Sequence, residues 1–138
     1  MSAGYSATPL GRKLSLKDGI RVWFDNMPQS VRNEIDNYGL NLIEEEQPTK
    51  GLNAAHIFVK KRVTLEKHLS ELRHLIDPSG QVWVSWPKKA SQVPTDISEH
   101  DVREMALSMG YVDIKKCAVD SVWAGLKLVI RKELRQKA

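Results

Sequence analysis

The stretch VDIKKCAVDSVWAGLKLVIRK, residues 112–132, decides the fold. Two β-rich runs, 112–119 and 126–132, flank a connection of six residues, 120–125. A connection that short cannot carry a parallel crossover, so the two runs are expected to pair as an antiparallel hairpin. Upstream of them, strand and helix signals alternate. The hairpin therefore closes a sheet that is otherwise parallel.

Working back from the hairpin, Ser98 with Asp101 at the third helical position reads as a variant capping box. Val102, Met105, Ala106 and Met109 follow at helical spacing, and Gly110 ends that helix. Residues 87–97 are polar and without periodicity, and Gln81-Val82-Trp83-Val84-Ser85-Trp86 is a strand of the buried type. The strongest helix covers 63–76, with Leu65, Leu69, Leu72 and Ile76 on one stripe, and Asp77-Pro78-Ser79-Gly80 stops it. Residues 54–60 form an apolar strand. Before it come a short strand at 41–44, a helix from about Ser30 to Gly39 with Val31, Ile35 and Tyr38 on one face, and a first strand at 20–24. In the arm, 1–18, Thr8 is the expected N-cap of a short turn, with Pro9 first in the helix and Leu10 and Leu14 on one side.

The order β-α-β-β-α-β-α-β-β predicts an α/β domain: a minimal Rossmann-like three-layer sandwich, its sheet mostly parallel with a C-terminal antiparallel β-hairpin. Its closing βαβαββ resembles the C-terminal half of class I S-adenosylmethionine-dependent methyltransferases. That resemblance implies that the last strand inserts antiparallel between its two predecessors. One joint stays open. About eight residues link the second strand to Ala54, too few for a helical crossover. They form either a hairpin or a bare crossover, and their reach of roughly 26 Å favours the crossover.

The chain has 138 residues, enough for one domain: an arm at 1–18, a core at 19–132 and a basic tail at 133–138. Hydrophobic residues make up 41% and charged residues 28%, which argues against a disordered or collagen-like chain. Apolar runs such as Ile57-Phe58-Val59 and Leu128-Val129-Ile130 fall far short of the ~20 residues a bilayer needs. The net charge of +4 is mild. Its basic residues are spread out, apart from the Lys88-Lys89 pair and the tail residues Arg131, Lys132, Arg135 and Lys137. Nucleic acid is thereby disfavoured as a partner, and no membrane partner is expected. The single cysteine, Cys117, sits in an expected strand and reads as a buried thiol. With no apolar signal segment after Met1, a reducing, cytoplasmic setting is expected.

Ligands of open α/β sheets bind beyond the carboxyl ends of the parallel strands. The first such loop, Asp25-Asn26-Met27-Pro28-Gln29-Ser30, has no glycine, which disfavours close approach of a nucleotide. Glu44, Glu45 or Glu46 stands where methyltransferases place a ribose-binding acid. The most suggestive loop is Trp86-Pro87-Lys88-Lys89-Ala90-Ser91. An indole face, two ammonium groups and a hydroxyl suit a phosphate or a stacked base. Tyr5, Ser6 and Thr8 with Lys13 one turn on form a second anion-friendly set. The candidate ligand-binding residues are therefore Tyr5, Ser6, Thr8, Lys13, Trp86, Lys88, Lys89, Ser91 and Asp96. No metal spacing links His56, His68, His74 and His100, and His56 reads as a satisfied core histidine. Trp123 with Gly125 reads as packing over a sheet edge. No catalytic constellation is visible.

These segments together resemble a bacterial domain-of-unknown-function family of small proteins. The residues that carry the resemblance are Ala3-Gly4-Tyr5-Ser6-Ala7-Thr8-Pro9-Leu10 with Lys13-Leu14, then Val82-Trp83-Val84-Ser85-Trp86-Pro87-Lys88-Lys89-Ala90-Ser91. Thr95-Asp96-Ile97 and Cys117-Ala118-Val119-Asp120-Ser121-Val122-Trp123-Ala124-Gly125-Leu126-Lys127 complete it. The resemblance supplies no catalytic residue. The expected function is binding of a small anionic or nucleotide-like molecule between the arm and the loop at 86–96. S-adenosylmethionine or a nucleotide is the candidate cofactor. The alternatives are a methyltransferase-like enzyme and a protein- or RNA-interaction module that uses the basic tail.

Overall fold

A computed structural model describes residues 8–135. Six strands form one sheet, in the order β2-β1-β3-β4-β6-β5. They are β1 (Arg21–Asp25), β2 (Ile43–Glu45), β3 (Leu52–Phe58), β4 (Ile76–Pro87), β5 (Tyr111–Ala118) and β6 (Trp123–Ile130). The helices are α1 (Leu10–Lys13), α2 (Gln29–Tyr38), α3 (Arg62–Leu75) and α4 (Glu99–Ser108). β2, β1, β3 and β4 run parallel. β6 lies antiparallel between β4 and β5, the insertion the sequence pattern implies.

The open joint resolves as a bare crossover. β2 and β3 flank β1 on opposite sides, both parallel to it, so the chain passes over β1 without a helix. Arg21 holds this strap. Its guanidinium reaches the Glu45 carboxylate, Thr49 Oγ1 and the Lys50 carbonyl, each at 3.0 Å.

Alternation along the strands separates two cores. On one face α3 and α4 cover Ala55, Ile57, Val82, Val84, Trp86, Leu126 and Leu128. The α3 stripe supplies Leu65, Leu69 and Leu72, all without exposed surface. Burial of each such side chain contributes about 1.5–3 kcal/mol. On the other face α1 and α2 bring Leu10, Leu14, Val31 and Ile35 against Val22, Ala54, Phe58, Trp83 and Trp123.

Most local signals survive in the structure. Ser98 and Asp101 form the reciprocal capping box, and Gly39 ends α2 in the left-handed conformation at φ 81°. Three readings change. Pro9, not Thr8, stands at the N-cap of α1. Asp77-Pro78-Ser79-Gly80 does not separate helix from strand. It bulges within β4, so that Leu52 pairs with Ile76 but Ala54 already pairs with Gln81. A Cβ at Gly80 would lie 2.9 Å from the Asn53 carbonyl and 3.0 Å from that of Asp77, so only glycine fits the fold-back. Trp123 does not cover an edge. It lies on the interior strand β6, edge-on to Phe58 at 5.2 Å.

Candidate functional site

The carboxyl ends of β1 and β2 are occupied by the protein's own contacts. At β1, Asp25 meets His68 Nε2 at 3.1 Å. At β2, Glu44 takes both ends of the Arg32 guanidinium at 2.6 and 2.7 Å, and Arg32 also lies 5.3 Å from the Phe24 ring centre. Glu45 is held by Arg21. Two of the three glutamates at the ribose-binding position are thus tied into ion pairs. The β1–α2 loop bends through Asn26, a non-glycine at φ 57°, and Pro28 caps α2. No glycine opens that loop to a ligand.

The long loop after β4 is stitched down rather than open. Lys88 N donates to the Val122 carbonyl at 2.7 Å, and Lys88 Nζ donates to the Asp120 carbonyl at 2.8 Å. Ser91 Oγ donates to the Lys88 carbonyl and accepts from Val93 N. Thr95 Oγ1 donates to the Lys60 carbonyl at 2.6 Å. Asp96 accepts from Arg62 N at 2.7 Å and so satisfies the first amide of α3. These bonds satisfy the backbone of a loop that has no sheet or long helix of its own.

Among the expected ligand residues, Tyr5 and Ser6 lie outside the described residues, and Thr8 is exposed. The Lys13 carbonyl accepts from Lys115 Nζ at 2.9 Å. The expected stacking role of Trp86 is corrected. Its side chain is 5% exposed within the α3/α4 core, so neither ring face is open. Three positions separate it from Trp83, and the two-residue period of a strand puts them on opposite faces. Lys89 is exposed, while Ser91 and Asp96 serve the loop and the α3 terminus. The structure therefore joins Ser91 to Lys88 with Lys89 exposed between them, sets Asp96 at the start of α3, and turns Trp86 into the core.

A second basic group borders this rim, at a carboxyl-end segment that the sequence pattern places on the rim but that was not among the expected ligand residues. Lys60-Lys61-Arg62 follows directly on β3, beside β4. Arg62 pairs with Asp101 at 3.3 Å. Among the described residues, Lys60, Lys61, Lys88 and Lys89 stand in no ion pair. Three consecutive cations after an apolar strand were the available signal.

The buried polar groups have no such access. His56 Nε2 lies 2.7 Å from Ser85 Oγ, but His56 Nδ1 has no partner among the described residues, so the histidine is satisfied at one nitrogen only. Burial pushes its pKa down to about 3, and the ring is neutral at pH 7. Burial also pushes the Cys117 thiol up, against the opposing pull of Lys13, Lys115 and Lys88, so it is no activated nucleophile. Among the described residues no three His, Cys, Asp or Glu side chains gather to hold a metal ion. No helix among them is long and apolar enough to cross a membrane.

No family model and no curated protein matches the chain. Solved structures do. A SAM-dependent methyltransferase from Aquifex aeolicus superposes with a TM-score of 0.60 at 15% identity, over 86% of each chain. The magnesium protoporphyrin IX methyltransferase of Synechocystis, solved with bound SAM, gives 0.57 at 11% identity, over 88% of this chain and 74% of that one. Against LepI in complex with SAM the score is 0.54 at 11% identity, and this chain spans 39% of that one. The fold is that of the Rossmann-like methyltransferases. At these identities the likeness extends to the fold alone.

Proposed function

We propose that the protein is a small-molecule-binding domain on a methyltransferase-like fold, that its ligand carries an anionic group, and that it has no catalytic constellation. The observation that carries this reading is the basic rim. Lys60, Lys61, Lys88 and Lys89 border the carboxyl ends of two adjacent parallel strands and meet no carboxylate of the described chain. Unpaired ammonium groups at such an edge raise the local concentration of anions. The cytoplasm is the setting that goes with this reading, supported by the lone buried Cys117. The quoted runs at 82–91 and 117–127 support kinship with the bacterial family of small proteins.

Calorimetric titration with inorganic phosphate, adenosine monophosphate and S-adenosylmethionine tests the proposal. Binding of one of the first two, weakened about tenfold by Lys60→Ala with Lys89→Ala, is the expected result. Absence of heat from all three overturns it. The enzyme reading draws on the fold likeness to SAM-dependent methyltransferases. Preference for S-adenosylmethionine over the other two ligands would favour it. RNA binding through the tail predicts a steep loss of affinity with salt.

A further inference from the structure

The opposite end of the sheet holds a feature that the rim does not use. A cavity of about 410 Å3 opens at the amino ends of β3 and the regular part of β4, beside the end of α1. Ser15, Lys17, Asn53, Ser79, Gln81 and Lys127 line it. Its size falls in the range of small-molecule sites, about 300–1,000 Å3.

Its lining carries two ammonium groups, those of Lys17 and Lys127, and no carboxylate. Lys127 projects from β6, and its one hydrogen bond among the described residues is to Ser15 Oγ, at 3.1 Å. Burial pushes the Lys127 pKa down, and the charges of Lys115 and Lys17 push it further. That is a cation surrounded by cations. The acids nearest in sequence to the lining are already engaged: Asp18 accepts from Asn41 N at 2.7 Å, and Asp77 accepts from Ser79 N and Oγ at 2.9 and 2.7 Å. Neither lines the cavity. Two nearby acceptors are engaged as well. The Asn53 side-chain carbonyl takes Arg21 N at 2.8 Å, so its amide nitrogen keeps its donors. The Leu14 carbonyl takes both Gln81 Nε2 and Trp83 Nε1. What is missing is a compact negative charge.

We infer that this cavity binds a small phosphate-bearing molecule, with Lys127 and Lys17 pairing its charge and Asn53 and Ser15 donating hydrogen bonds to it. The site is independent of the basic rim, and its backbone wall is the Asp77–Gly80 bulge that only a glycine lets close.

The probe is inorganic phosphate, followed by amide NMR on the full chain, with chloride at matched ionic strength as the control. Phosphate should shift the amides of Ser15, Lys17, Asn53, Gly80 and Gln81. Lys127→Gln should weaken that response about tenfold, the loss expected for one charge-assisted contact. Lys17→Gln, at an exposed position, should weaken it several-fold and serves if the first variant does not fold. The inference fails if these amides stay still, if chloride moves them equally, or if both folded variants respond like the parent. Shifts confined to residues 60–62 and 88–92 would support the rim and overturn the cavity.

Discussion

The two faces of the sheet are built by different rules. The face under α3 and α4 is dry but for the Tyr111 hydroxyl, which donates to the Leu69 carbonyl at 2.7 Å, whereas the buried residues of polar type among the described residues, His56, Gln81 and Ser85, all stand on the face under α1 and α2. The cover explains the difference. α3 and α4 are regular helices of 14 and 10 residues that satisfy most of their own backbone and turn mainly apolar stripes to the sheet. α1 has four residues, and the chain leaves it through Ser15 at φ 59°. So short a helix leaves a carbonyl, that of Leu14, facing the sheet, and a buried carbonyl needs donors. The strand beneath supplies two, from Gln81 and Trp83. Irregular cover thus dictates polar residues in the sheet.

The largest expected effect probes the dry face. Leu69→Ala leaves a cavity under α3 and should cost about 2–5 kcal/mol in urea unfolding. Leu10→Ala, at 5% exposure under the short α1, should fall at the low end of that range, because its cover can settle. Equal losses would break the comparison. Next, Gly80→Ala should cost about 1–3 kcal/mol, since its Cβ would press on two backbone carbonyls that cannot rotate away. The polar face has a pH signature. His56 has a folded pKa of about 3, below its ordinary value, so the unfolded chain takes up the proton first. Its contribution is complete above pH ~6.5 and is lost as pH falls, by up to about 1.4 kcal/mol per pH unit. His56→Leu with Ser85→Ala should flatten stability between pH 6 and 4, and an unchanged slope would assign the acid sensitivity elsewhere. Smallest is Arg32→Met, which breaks a half-exposed pair with Glu44 and should cost about 0.2–1 kcal/mol, less at high salt.

The dry face was legible in the sequence because it follows from period and caps. Leu65, Leu69 and Leu72 announce α3, and Ser98 with Asp101 announces the start of α4. The hairpin was legible because its connection is short. The polar face was not, because its contacts join residues far apart, such as Gln81 to Leu14 and Lys127 to Ser15. No local pattern encodes them. Trp86 is different: counting by two from Val82 and Val84 already puts it in the dry core, and the misplaced stacking role came from its position at the rim. The bulge in β4 was hidden because Asp-Pro-Ser-Gly spells a turn whether the chain reverses there or folds out of a strand.

The strap between β2 and β3 makes this fold an acceptor for grafts. A parallel crossover ordinarily carries a helix, and here one arginine clasps a few residues in its place. Lengthening such a connection costs only about 0.6 kcal/mol per doubling. A helix, or a whole second domain, spliced in near Pro48 would sit at the sheet margin without disturbing either core, and three-residue β2 would mark its hinge.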